Sequence, residues 1–568
     1  MIKVKSLGLQ TIVTTIFGLS LIGCGGGSSS DNTSPTSTVK EAQLIDSAIQ
    51  GVDYTTNSLS GITDESGTFQ YNSTDTTITF KVGSLTLADF NLSKLNSDNK
   101  LLPADIFDVN RTNTTDSNML KFIRVVQSLD NDNNPDNGIL IDDNTKGFLA
   151  TDINIKDANL SQLQTIMTKA NKTLKLERAS REHYKTTLSS MGVSPQFAPF
   201  VTVWETNGTT TSHYNISFND RNITIPTNPN YVYNYTVDWG DGKSDLNVTG
   251  DKSHIYTADG NYTVKIYGTF PAIYNNSGDI DENPNPNAWH LMKVSSWGDI
   301  EWKSMENAFS GCFNLQVEAT DIPITSEVTS MKKMYYYATS FNHDLDNWDV
   351  SNVVDMSLLF YNATDFNGSL KNWNVSKVTT MTVMFTSTKF NEDITDWNVS
   401  NVTDMQYMFG STQFNQDIGN WDVSNVINMR DMFDYTPFNH NIGDWNVSNV
   451  TNMGGMFSQT PFNQDISNWD VSNVTNMQNM FILASSFNQD IGNWDVSNVT
   501  DMSGMFMLSS FNRNIEGWNT SSVINISSMF KGTSSFTNQD LSNWNVSNVT
   551  IHTDFMTGAG TGNTEPIW

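Results

Sequence analysis

Phe414-Asn-Gln-Asp-Ile-Gly-Asn-Trp421-Asp-Val-Ser-Asn-Val-Ile-Asn-Met429-Arg-Asp-Met-Phe433 decides how this chain folds, because near-copies of it fill most of the C-terminal half. Tryptophan recurs at Trp348, Trp373, Trp397, Trp421, Trp445, Trp469, Trp494, Trp518 and Trp544, a period of 24 residues with occasional insertions of one or two. Self-similarity at a fixed period of this length marks a solenoid. Counting each copy from its Trp as position zero, Val stands at plus two and plus five, Met at plus eight and plus eleven, and Phe at plus twelve. The Trp-to-Val step of two predicts a short extended segment. The Met-Met-Phe spacing predicts one or two helical turns. Each copy offers about seven apolar side chains that it cannot bury alone, so neighbours must stack into a continuous core.

The polar columns fit the same picture. Ser at plus three and Asn at minus six are present in every Trp copy, from Ser351 to Ser547 and from Asn342 to Asn538. Identical amides one strand spacing apart can hydrogen-bond along the stack, and small polar residues supply turn chemistry. Catalysis needs one asymmetric site, not a column of copies. Two degenerate copies come first: Trp297, Trp302, Met305 and Phe309, then Val328, Met331 and Met334 behind Pro323. The last copy departs too, with His552 in a Met slot, as expected of ends that face water. The expected fold is multidomain and mainly β. Its main part is a leucine-rich-repeat-like solenoid of about eleven turns over 297–556, preceded by β-sandwich modules and a small helical segment.

The motif F-N-x-D-I-x-x-W-[DN]-V-S-N-V-T-x-M-x-x-M-F resembles the BspA-like leucine-rich-repeat surface proteins. That resemblance implies a bacterial cell-surface protein whose repeats bind other macromolecules, and it implies no reaction.

The rest of the chain reads as supports and spacers. Lys3 and Lys5, the apolar run Ile12 to Ile22, and Leu21-Ile22-Gly23-Cys24 resemble a lipoprotein signal over 1–23. The resemblance implies lipid on Cys24, a membrane anchored through it, and, with Gly25 next, sorting to the outer membrane. The alternative is an ordinary signal peptide. Residues 24–40 read as a Gly/Ser/Thr linker spanning about 20–25 Å. Residues 41–92 alternate as a small β-sandwich and loosely resemble prealbumin-like spacers. Residues 93–196 carry helical spacing at Met119, Phe122, Ile123, Val126 and Leu129, and again over 159–191. Residues 197–270 hold Val237-Asp-Trp-Gly-Asp-Gly242, His254-Ile-Tyr and Gly260-Asn-Tyr-Thr-Val-Lys-Ile266, which resemble a PKD-type β-sandwich with a tight Asp-Gly hairpin. A connector over 271–296 and a tail over 557–568 complete the division.

Three sets of residues are candidates for function. Asp130, Asp132, Asn134 and Asp136, at alternate positions, resemble a calcium loop, since Ca²⁺ takes a cage of carboxylate and carbonyl oxygens. Pro135 and Ile141 depart from the EF-hand pattern, and the alternative is a solvated Asp/Asn turn that ends the helix. Tyr336, Tyr361, Tyr407 and Tyr435 occupy variable slots and are candidates for binding, because Tyr is enriched at binding sites; the alternative is burial between turns. Cys24 is the candidate for lipid attachment, which leaves Cys312 as the only other thiol and no internal disulfide.

Charge bounds the partners. The chain of 568 residues carries a formal net charge of −29, so nothing would neutralise nucleic-acid phosphate. Metalloprotease, nucleophile-elbow, Walker and Rossmann patterns are missing from the sequence, so an enzyme is the least supported reading. The expectation is a lipid-anchored binding or adhesion protein of the cell envelope, with a protein or glycan ligand. The alternative is a structural surface or biofilm component.

Overall fold

The computed structural model describes residues 37–568 apart from 115, 150–152, 176, 194–197, 210–216 and 276–284. The signal, Cys24 and all but the end of the linker therefore lie outside the described residues. The linker's end does not stay a linker: Val39–Leu44 is a strand.

Residues 39–193 form one unit. A four-stranded antiparallel sheet runs Ser60–Ile62, Asp53–Thr56, Thr77–Val82 and Leu85–Asn91, and a second sheet runs Thr68–Asn72, Val39–Leu44 and Lys100–Leu101. The alternation expected over 41–92 places Phe69, Tyr71, Ile78, Phe80 and Val82 inside. Helix Ser117–Leu129 starts where Asp116 accepts a hydrogen bond from the Met119 amide, which satisfies one orphan N–H of the first turn. Its predicted face, Met119, Phe122, Ile123, Val126 and Leu129, is buried. Helices Leu160–Lys169 and Glu177–Ser190 follow. Strands and helices share one hydrophobic core from Ala42 to Leu188, so the boundary read at 92/93 separates no cores. The sheets are too short to close over themselves, and the helices cover what they leave open.

Residues 200–317 build a six-stranded sheet in the order Ser244–Val248, Asn234–Asp238, Asn261–Thr269, Phe200–Glu205, Leu291–Ser296 and Gln316–Val317. The expected hairpin sits at Asp241-Gly242, where Gly242 takes φ +86°. The Tyr256 hydroxyl donates to the Trp239 carbonyl, and the Trp239 ring stacks on His254 at 4.9 Å. Val264 and Ile266 are fully buried as the alternation predicts. The connector is not only a linker: its last residues, Leu291–Ser296, pair antiparallel with Phe200–Glu205 and parallel with Gln316–Val317. The sheet thereby runs straight into the first repeat.

From there successive copies lie side by side. Parallel bridges join Ser330 to Asp355, Asp355 to Thr380, Thr380 to Asp404, Asp404 to Asn428, and so on to Asn525 and Ile551. The Trp, Val, Met and Phe columns are buried, apart from the half-buried Val546 and Val549 of the last copy, and belong to one hydrophobic cluster running from Phe200 to Phe555. From Trp373 to Trp544 each Trp of the series also donates its indole N–H to a carbonyl one copy back, as Trp445 does to Ile418 at 3.2 Å and Trp469 to Ile442 at 3.1 Å.

Two local expectations fail in instructive ways. The bridge falls at plus seven, not over the Trp-to-Val step. The Met-Met-Phe segment is a run of turns and contains no helix. Alternate amides there donate to the next copy (Met429 to Asn452, Asp431 to Gly454, Phe433 to Met456, Tyr435 to Ser458), while Met432 donates back to Met429. A stacked neighbour that accepts every second N–H replaces the i−4 carbonyl of a helix. The alternation requires left-handed backbone at plus ten and plus fourteen, as at Asp431 (φ 53°) and Tyr435 (φ 56°). The tail adds to the stack as well, for Thr564 bridges to Asp540.

Candidate functional site

The outer surface of the stack is built from columns. Asn at minus six forms the expected ladder: Asn391 accepts from the Asn415 amide at 2.8 Å, Asn415 from Asn439 at 3.1 Å and Asn439 from Asn463 at 2.9 Å. Gln464 braces it by donating to the Asn439 carbonyl at 3.0 Å. A second ladder sits at plus four, where Asn425 donates to the Ser400 carbonyl and Asn449 to that of Ser424, both at 2.7 Å. A third runs at plus six, where Thr403 Oγ1 donates to the Thr379 carbonyl at 3.1 Å and Thr475 Oγ1 to that of Thr451 at 3.1 Å.

Near-parallel Trp rings of adjacent copies lie 6.3 Å apart at Trp373–Trp397 and 6.5 Å at Trp469–Trp494. The plus-twelve rings repeat at 5.7 Å from Phe385 to Phe409. At the bridge column the copies must come within a strand spacing of about 4.8 Å. The plus-six column adjoins these bridges. There Asn401, Thr403, Asn425, Ile427, Asn449 and Thr451 line a groove of about 470 Å³.

The four tyrosines do not form one site. Tyr336 is buried and stacks on Tyr361 at 5.2 Å, within a cluster that includes Phe313 and Tyr337. The Tyr407 hydroxyl donates to Asp434 at 3.0 Å, and burial beside that carboxylate pushes its pKa up. Tyr435 alone stands out, 63% exposed. The slots differ (plus ten for Tyr407, plus fourteen for Tyr435), which is why no single face collects them.

The Asp/Asn loop does not converge either. Asp130 is buried, accepts from the Leu140 amide, and leaves its second oxygen without a partner; burial raises its pKa. Asp132 is taken up by the Asn134 amide and the Asn137 side chain. Asp136 turns away to His183 at 2.9 Å. Lys172 donates to the Asp130 main-chain carbonyl and Lys175 to that of Asn133, which sets two ammonium groups against the loop where a cation would have to sit beside them. Among the described residues no group of three or more His, Cys, Asp or Glu side chains is arranged to hold a metal. The residues do not fit a calcium cage; they fit an Asp/Asn turn pinned by two lysines.

Sequence reasoning missed two features, both assembled from residues far apart. Ser47 Oγ lies 3.1 Å from His183 Nε2, and Asp136 holds the other ring nitrogen. That is the order of nucleophile, base and orienting acid, but the Asp136 side chain is 78% exposed, and Asp46 stands 4.0 Å from the same nitrogen as Ser47. The imidazole here ties the loop to the strand turn. The second feature joins the units: Asp299, at the head of the repeats, accepts from Arg181 at 2.8 Å, from Thr114, and from the Ala198 amide at 2.7 Å. Beside it lies a cleft of about 1100 Å³ between the helical unit, the six-stranded sheet and the first repeat.

Residues 303–416, 370–465, 410–508 and 458–567 each match the family described as "Mycoplasma protein of unknown function, DUF285". The matches overlap along the stacked copies, cover just under half of the chain, and make 303–567 a repeat region similar to that family. No curated protein and no solved structure matches the chain.

Proposed function

We propose that this chain is a lipid-anchored cell-envelope protein whose repeat region works as a solenoid that binds other macromolecules, with the N-terminal units as spacers. The observation that carries the reading is the set of solvent-facing ladders, repeated along the copies, above a core that continues from the six-stranded sheet to the last turn. Such a surface offers extended, multivalent contact and concentrates no reactive groups. The six-stranded sheet, four of whose strands fall in the 197–270 stretch that resembles a PKD-type module, leads into the first turn and would carry the stack away from the anchor. Lipid on Cys24 would supply that anchor. Calcium has no part in this reading.

Fractionation tests the anchor: Cys24→Ala should release the protein from the membrane fraction, and unchanged partition would overturn lipidation at this residue. Capture from cell-envelope and host-surface extracts by the intact chain tests the binding role. Saturable partners that a chain lacking the repeats cannot capture support it. Their absence favours a structural surface component.

A further inference from the structure

Two neighbouring columns differ in charge from the Asp-bearing columns of the stack. At plus four stand Asn352, Lys377, Asn401, Asn425, Asn449, Asn473, Asn498, Ser522 and Asn548; at plus six stand Val354, Thr379, Thr403, Ile427, Thr451, Thr475, Thr500, Ile524 and Thr550. Lys377 is the single charge in both. By contrast minus four holds Asp344, Asp393, Asp417, Asp465, Asp490 and Asp540, and plus one holds Asp349, Asp422, Asp470 and Asp495. A chain of net charge −29 thus keeps these two columns almost free of charge along the groove at Asn401 to Thr451, between the uncharged Ser column at plus three and a plus-seven column that holds Asp355, Asp404 and Asp501. Neutrality along so regular a track is not needed for solubility, which the acidic columns already supply.

The hydrogen-bond accounting on the strip is lopsided. Each Thr hydroxyl hydrogen is spent on the preceding turn: Thr403 on Thr379, Thr451 on Ile427, Thr475 on Thr451, Thr500 on Thr475. Asn401, Asn425, Asn449, Asn473 and Asn498 each spend an amide hydrogen on a Ser carbonyl, as Asn401 does on Ser376. Hydroxyl lone pairs and amide oxygens remain on the outside, so the strip presents mainly acceptors to solvent. Exposed apolar side chains interrupt it at Val354, Ile427 and Ile524, each 39–49% exposed. A partner for this surface brings many O–H donors, carries no charge, has apolar C–H faces, and repeats at about the strand spacing of ~4.8 Å.

We infer that the strip binds a neutral, β-linked polysaccharide lying along the stack axis, with about one sugar residue to each turn. The inference rests on the binding reading above and names its surface and its ligand class. A polycation would be drawn to the Asp columns, and a protein partner needs an apolar anchor pocket that this shallow groove does not offer. A glycan gains from many weak, equally spaced contacts, each turn adding to the effective concentration at the next.

The test is sedimentation of the intact chain with three insoluble neutral polysaccharides: amorphous cellulose, chitin and a β-1,3-glucan. At least one should retain the protein. The triple variant Thr403→Glu, Thr451→Glu, Thr475→Glu, checked for fold by circular dichroism, should lose tenfold or more of that affinity. A charge-matched control on another column, Gln416→Glu, Gln464→Glu, Gln489→Glu, should retain it. Failure of all three glycans to retain the parent, or equal retention of the triple variant, overturns the inference. The binding reading would survive that failure if extract capture by the intact chain still yields a repeat-dependent partner.

Discussion

The unit at 39–193 and the repeat stack bury their apolar surface by opposite routes. The first fits unlike parts together: three small sheets (one of them the parallel pair Ile49–Gln50 with Ile139–Leu140), three longer helices, and polar groups taken inside with them, among them Asp46, Gln127 and Arg181. The second repeats one solution, so each Trp, Met and Phe meets its own kind one turn away. Neither uses a disulfide; Cys312 is buried, and burial pushes its thiol pKa up. The difference teaches where each should be sensitive. In the stack a lesion is felt by neighbouring turns, because every contact is with a neighbour. In the N-terminal unit it is felt through the few buried polar links that nothing duplicates.

The largest effect of a single residue is expected in the stack. Trp445→Ala removes a ring that is 4% exposed and an indole bond to Ile418, and should cost about 3–5 kcal/mol. Hydrogen exchange should rise most between roughly Val423 and Met480, while 200–270 stays protected. Uniform loosening from 39 to 556 would erase the contrast between the regions.

Asp299→Ala probes the link between them. Arg181 and Asp299 side chains are each 2% exposed, and removing the carboxylate from this buried pair should cost roughly 3–5 kcal/mol. Exchange should rise in helix Glu177–Ser190 and around Ala198, with turns beyond Phe341 unchanged. Loosening centred on the distant turns would show that the link serves the stack.

Asp46 gives the N-terminal unit a pH dependence of its own. Burial is the main cause that raises its pKa to about 6, against the opposing pull of His183 and Gln127. The folded state therefore holds this proton more tightly than the unfolded one. The stabilisation is fully present below the unfolded value near 3.8 and is lost as pH rises through about 6. Denaturation of this unit, followed by exchange corrected for intrinsic rates, should show stability falling from pH 4 to pH 6. Asp46→Asn should flatten that slope. A slope that survives the substitution assigns it to another group.

The smallest effect belongs to a bracing residue. Gln464→Ala loses bonds to Asn439 on an exposed edge and should change stability by less than about 0.5 kcal/mol. A larger loss would promote the Asn ladder from accessory to framework.

The period, the buried columns, the Asn ladder and the helix at 117–129 were legible in the sequence, because each is a local pattern repeated or spaced by one rule. The Met-Met-Phe turns were not. A spacing of three and four signals a helix only when the i−4 carbonyl is the best acceptor, and here the neighbouring copy supplies a better one. The calcium-like loop misled for a related reason. Alternating Asp and Asn fix composition, while Lys172, Lys175 and His183 come from 40 or more residues away and decide where those side chains go. The Asp299 link has no local signature at all. Its partners, Thr114, Arg181 and Ala198, lie 185, 118 and 101 residues from it.

Deleting one whole copy tests the stack most directly. Removing the 24 residues 421–444 joins Asn420 to Trp445 and leaves every column in register. The account predicts a folded, cooperative protein whose stack, measured by small-angle scattering, is shorter by about one turn, near 5 Å. Removing only 421–432 should destroy the turns on both sides, since it sets Trp, Val and Met against the wrong columns. Equal damage from the two deletions would contradict the account.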